Sequence, residues 1–253
     1  MDIVLTTPAK RPDLIPQMLA LLTKSWPQFL LQGGAPGPDD PPTDWSTFIS
    51  AWPTHQIVLL DGDAVVATGH AVPLSWDDHC PPQTGWDWAV AMAGKGSKLV
   101  TLCALAVTIA PTHRGRGLST IALDGLRDVA VAHGLRRMIV PVRPNHKHRW
   151  PQVSFKEYLT QKTEEGLPID PWLRTHIRRG GKILGVCERS MELAGYTDDW
   201  ERWTGVRVSD DGPTVIPQAL VPVIFANGVG RYIEPNVWVE HHLKTPPTAS
   251  ASP

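Results

Sequence analysis

The feature that most constrains this chain is a junction between an apolar run and a helix. Residues 98–110, KLVTLCALAVTIA, are apolar and rich in β-branched side chains, the composition of a strand covered on both faces. The run stops at Pro111. After THRGRG, the residues Leu118, Ala122, Leu126, Val129 and Ala130 fall on one helical stripe over about Ser119 to His133. Gly134 stands where such a helix closes, and LRRMIVPV (135–142) is strand-like again. Strand, helix and strand in this order make a crossover, expected to be right-handed, so the chain is α/β. Anything bound at the crossover meets the start of its helix.

That start suits an anion. The first N–H groups of a helix lack intrahelical partners, and the helix dipole adds positive character to them. Gly115 and Gly117 let the backbone turn and approach a ligand with no Cβ in the way, while Arg114 and Arg116 add charge. Each amide bond to a charged acceptor contributes about 1.5–3 kcal/mol, so a few of them hold a pyrophosphate. A Walker loop is excluded, because GRGLST has no lysine. A dinucleotide fingerprint is excluded too: Thr120 replaces its third small residue, and LRRMIVPVRPN supplies no acid. A glycine-rich turn with incidental arginines is the plainer alternative, but it leaves the flanking strand and helix unexplained.

Around this unit, DIVLTT (2–7) reads as a first strand. Leu14, Ile15, Met18, Leu19, Leu22 and Trp26 mark a helix within 11–31, with Pro12 in its first turn and Pro27 ending or bending it. A loop (33–42), a short helix (43–52) and a hairpin (55–72) about Asp61-Gly62 follow, then a tryptophan-rich loop (75–90). Beyond 142, loop and short helix mix to residue 170. Asp170 caps a helix over 171–181, a strand covers 182–191, and 219–243 is β-rich with a turn at Asn227-Gly228. The expectation is one domain over 1–243 and a disordered tail over 244–253.

Composition narrows the function. A net charge of −1 offers no basic excess for nucleic acid. No apolar run approaches the length of a membrane span, and no secretory leader pattern follows Met1. Three cysteines without paired spacing suit a reducing, cytoplasmic compartment. His146 and His148 have no third ligand near them, so no metal site is expected.

The stretch VTIAPTHRGRGLSTIAL resembles the acyl-CoA-binding motif of the GNAT acyltransferase superfamily, Arg/Gln-x-x-Gly-x-Gly/Ala. Pro111, Arg114 and Gly117 match it, and Ser119 stands where Gly or Ala is usual. The resemblance implies a mixed, mostly antiparallel central sheet with a splayed strand pair and flanking helices, here with a β-rich C-terminal extension. It implies acetyl-CoA or another acyl-CoA as co-substrate. Its pyrophosphate would lie on the amides of Arg114, Gly115, Arg116, Gly117, Leu118 and Ser119. Its pantetheine arm would lie along the strand of Leu105, Val107 and Ile109, with Asn145 at the family's position after the next strand. THIRRGGKI (175–183) resembles the family's LYERLGF segment, which makes residues 146–170 an insertion.

Laying THIRRGG on LYERLGF puts His176 where the family often has its acidic tyrosine. An imidazolium there protonates the leaving thiolate; the alternative is a histidine on the helix surface. Tyr158 is the rival acid. The family's strand glutamate has no counterpart in TLCALAVTIA, so the base stays open among His70, Asp77, Asp78, His79 and Glu240, or a water. Cys103 is a nucleophile or a small buried hydrophobe. RPNHKHRW (143–150) is a basic cluster for the CoA 3′-phosphate or an acidic acceptor, or a solvated loop. Trp86, Trp88, Trp150 and Trp172 are placed on the acceptor side. The expected function is transfer of an acyl group to an amine of a small molecule. The alternatives are O- or S-acyl transfer, malonyl-thioester decarboxylation, or acyl-CoA binding without catalysis. A second copy of the chain is a candidate partner.

Overall fold

The computed structural model describes residues 2–78 and 80–243, so the tail expected over 244–253 lies outside the described residues, as does His79. The chain begins with β1 (Ile3–Thr6) and α1 (Ile15–Ser25). Pro12 opens the 3-10 turn that leads into α1. The helix stops before Pro27, and the expected stretch to Leu31 continues as a 3-10 turn over Gln28–Gln32. Helix α2 (Trp45–Ala51) is capped by Asp44, which accepts the Ser46 N–H. Strands β2 (Ile57–Asp61) and β3 (Ala64–Leu74) form the hairpin. Part of the loop expected over 75–90 is helix instead, α3 (Gly85–Met92). Its two turns bury only Gly85, Trp86 and Ala89, too few positions to show a period in the sequence.

Next come β4 (Thr101–Ile109), α4 (Leu118–Ala132) and β5 (Arg137–Val142). Two short helices follow, α5 (Phe155–Thr160) and α6 (Pro171–Arg178). Asp170 caps α6 through the Trp172 and Leu173 N–H groups and also accepts the His146 N–H at 2.8 Å, which ties the 146–170 segment to the end of β5. β6 (Lys182–Tyr196) runs beyond its expected end at 191, across an irregularity between Cys187 and Met191. Helix α7 (Thr197–Thr204), β7 (Gly212–Thr214), β8 (Val223–Ala226) and β9 (Val229–His242) complete the fold.

The nine strands among the described residues join one sheet in the order β1-β2-β3-β4-β5-β9-β8-β7, with β6 along the other edge of β9. Every pairing among the described residues is antiparallel except β4 with β5. The two-residue strand period sorts the core onto two faces. Leu102, Ala104, Val140 and Val237 pack with Leu118, Ala122 and Leu126 of α4 and Leu173 of α6. Cys103, Leu105, Ile139 and Trp238 turn the opposite way, toward Phe29, Phe48 and Trp86. Each such large apolar side chain contributes about 1.5–3 kcal/mol by leaving water. No described helix is long and apolar enough to cross a membrane.

The buried surface also holds histidines. Burial pushes His55, His70 and His241 down to about 4 and His176 well below its ordinary value, so all four are neutral near pH 7. The unfolded chain binds protons near pH 6.5 that these rings refuse. Their contribution is therefore complete above pH 6.5 and is lost as pH falls toward 4. Asp87 works in the opposite sense: burial raises its carboxyl to about 7, so acid relieves it. Four rings outweigh one carboxyl. Urea unfolding should show stability falling from pH 7 to pH 5, by on the order of 1–2 kcal/mol per ring. A flat profile over that range would mean the rings are hydrated.

Candidate functional site

β4 and β5 pair only at Thr101↔Arg137, Leu102↔Met138 and Cys103↔Ile139. Just beyond, β4 changes register against β3: Ala104 faces Ala71 and Ala106 faces His70, which leaves Leu105 as a bulge. A bulge increases local twist, so the rest of β4 leaves β5. β5 stays with β9 through Val142↔Val237. The gap opens a cleft of roughly 740 Å³ lined by residues 104–109 and 140–143. Along it, the β5-facing edge of β4 has no strand partner, and its backbone groups need water or a ligand.

On the α4 face the cleft ends at the glycine turn. Gly115 and Gly117 have φ of 76° and 79°, and a Cβ at either would meet nothing within 4 Å. Gly117 is the N-cap of α4 and supplies no side-chain cap. The Gly115, Gly117, Leu118 and Ser119 N–H groups donate to no acceptor among the described residues. Every residue of the expected cofactor set lines the cleft except Arg116. His146, His148 and Arg149 line it as well. Lys147, in the middle of the basic cluster, does not: its Nζ donates to the Trp150 and Leu220 carbonyls at 2.8 Å each, and burial lowers it to about 8.

Of the expected reactive groups among the described residues, only His176 lines the cleft; His79 lies outside them. It is fully buried, its Nδ1 is 2.9 Å from His241 Nε2, and its ring packs 4.3 Å from Trp172. His176 Nε2 is buried without a hydrogen-bond partner. Burial keeps the ring neutral, so the resting group is an imidazole N–H rather than the expected imidazolium. His70 sits in the core with both nitrogens occupied. Its Nδ1 donates to Gln56 Oε1, and Thr68 Oγ1 donates to its Nε2, each at 3.1 Å. Tyr158 is buried away from the cleft, donates to Asp170 at 2.9 Å, and has its phenol pushed upward by burial. Glu240 pairs with Arg137 and His242, Asp77 and Asp78 lie outside the cleft, and the Cys103 thiol is raised by burial.

On the opposite face the cleft widens between Trp26, Trp45, Trp86, Leu30 and Met191. Trp26 Nε1 donates to Thr108 at 2.8 Å, which fixes this wall to β4. Glu234 is the one carboxylate lining the cleft among the described residues. Of the tryptophans expected here, Trp86 is present and Trp172 lines the other face; Trp88 packs on Trp76 and Trp238, and Trp150 on Tyr158. Trp26, Trp45, Glu234 and Asn236 escaped the sequence reading. One signal existed for the last two: polar residues two apart in the apolar run of β9.

The family model described as Acetyltransferase (GNAT) family matches residues 15–151. Arginine N-acetyltransferase avaD of Aspergillus versicolor is 32% identical, over 94% of this chain and 93% of its own. The loading GNATL domain of CurA from Lyngbya majuscula has a similar fold, with a TM-score of 0.64 at 18% identity over 96% and 98% of the two chains. The GphF GNAT-like decarboxylase in complex with isobutyryl-CoA gives 0.59 at 16% over 96% and 100%.

Gly117→Val tests the cradle. A left-handed residue with a Cβ costs about 1–2 kcal/mol in stability. Gly134→Val carries the same cost at φ of 69°, also with open space around a Cβ but outside the cleft. Both variants should melt a few degrees low, and only Gly117→Val should lose more than tenfold in coenzyme A affinity by calorimetry. Equal affinities would place the phosphates elsewhere.

Proposed function

The chain belongs to the acetyltransferase (GNAT) family, and within it we infer an acyl-CoA-dependent N-acyltransferase that moves its acyl group directly to an amine of a small molecule. One observation carries the reading: a single cleft passes through the sheet where β4 and β5 part, with a glycine-turn cradle on one face and a tryptophan-lined chamber on the other. Donor and acceptor then meet in the gap. The pyrophosphate lies on the amides beside Arg114, Gly117 and Ser119, and the pantetheine arm lies along Leu105, Val107 and Ile109. The acetyl group is the first acyl chain to assay, and arginine the first acceptor, because the curated relative is an arginine N-acetyltransferase. All three cysteines are free, which fits a cytoplasmic setting.

In the reaction, a neutral amine nitrogen attacks the thioester carbonyl carbon while free β4 amides bind the developing oxyanion. The C–S bond breaks, the thiolate leaves, and the nitrogen gives its proton to cleft water. His176, in the tautomer that takes a hydrogen bond from His241, presents Nε2–H to the departing sulfur. Glu234 is committed to other donors, Arg143 Nε, Tyr232 Oη and Asn236 Nδ2, so no free carboxylate serves as base. The apolar tryptophan walls disfavour an ammonium and favour the neutral amine instead.

Thiol release from acetyl-CoA should depend on added arginine, and kcat/KM should climb with pH toward the pKa of the reacting amine. His176→Phe should lower kcat roughly 100-fold with coenzyme A affinity retained, and His176→Gln, which keeps an N–H donor, should recover part of it. An unchanged kcat in His176→Phe would remove the ring from the reaction. Absence of amine-dependent release across a panel of amines and acyl-CoAs would remove the function.

A further inference from the structure

Arg143 follows β5 directly, and its neighbour Val142 packs on the α4 face, so alternation sends the Arg143 side chain to the tryptophan face of the cleft. Its guanidinium is held from two sides. Nε donates to both Glu234 oxygens at 3.1 and 2.9 Å, and Nη2 donates to the Gln218 carbonyl at 2.5 Å. Glu234, only 1% exposed, is itself fixed by Tyr232 Oη at 2.8 Å and Asn236 Nδ2 at 3.1 Å. Asn236 is anchored in turn by Ser190 Oγ at 2.7 Å. Nη1 makes no hydrogen bond among the described residues and is not among the buried orphan atoms, so it opens on the cleft. The remaining arginines of the cleft, Arg114 and Arg149, are exposed residues of the loops after β4 and β5.

A guanidinium fixed through Nε and Nη2, with Nη1 open to a cavity, presents a charge-assisted donor to a carboxylate. We propose that Arg143 binds a carboxylate of the acceptor, so that the preferred substrate is an amino acid rather than a simple amine. This rests on the acyl-transfer reading above. Glu234, Tyr232 and Asn236 are positioning residues for Arg143. The tryptophan walls receive the rest of the acceptor. A carboxylate on the acyl group, as in a malonyl thioester, has the same chemistry, and the test separates the two sources.

Arginine and agmatine differ only by the carboxylate. With acetyl-CoA, kcat/KM for arginine should exceed that for agmatine at least tenfold, mainly through KM. In Arg143→Gln that ratio should fall at least tenfold toward unity. Arg143→Lys, which keeps the charge and provides a second variant if the first folds poorly, should give an intermediate ratio. Equal use of the two acceptors by the native enzyme would overturn the proposal while leaving N-acyl transfer intact. So would a ratio unmoved by both variants, which assigns Arg143 to structure alone. Acceptor-independent consumption of malonyl-CoA that disappears in Arg143→Gln would place the carboxylate on the acyl group and overturn it as well. No thiol release with either amine is the separate failure of the function itself.

Discussion

The structure depends on one extra residue in a strand. Leu105 has no partner across from it on β3, and the twist it adds carries β4 away from β5 after only three paired residues. Without it, β4 and β5 would continue their ladder and close the sheet. With it, a strand edge is left unpaired in the middle of the protein, flanked by two packed cores. Unpaired backbone inside a fold is costly unless something else bonds to it. An extended ligand in the opening would satisfy that backbone, which is what the acyl-transfer reading proposes.

The two faces solve different problems. The α4 face presents backbone amides that glycine leaves exposed, and it keeps a neutral, buried imidazole close to the gap. The other face combines aromatic walls with one fixed ion pair. Removing either member of a buried pair strands a charge, whereas a matched apolar replacement of both is often neutral. Stability alone therefore gives little reason for Arg143 and Glu234 to be there.

The sequence disclosed the crossover well and the tryptophan-lined chamber poorly, for a physical reason. The apolar strand, the glycine turn, the amphipathic helix and the next strand are adjacent, and each is set by short-range chemistry. Hence the residues on the α4 side of the cleft were legible one by one as its lining, Arg116 excepted. The chamber joins Trp26, Trp45, Trp86, Arg143 and Glu234, which meet only because β9 inserts between β5 and β6. No local period carries that pairing. Helices α3 and α7 were missed because few of their positions are buried and neither begins with the Asp-Pro pair that marks the equally short α6. His70 shows the converse limit: a histidine on a strand looks reactive in a sequence, and its partners Gln56 and Thr68 become visible only once the hairpin is formed.

Lys147 stands between two residues that line the cleft, and its lowered pKa makes it a better nucleophile than an ordinary lysine. A primary amine of that kind next to an activated thioester competes with the true acceptor and invites self-acylation. Turning the ammonium inward onto two carbonyl oxygens removes that competitor. The same turn that anchors the loop thus keeps this amine out of the cleft.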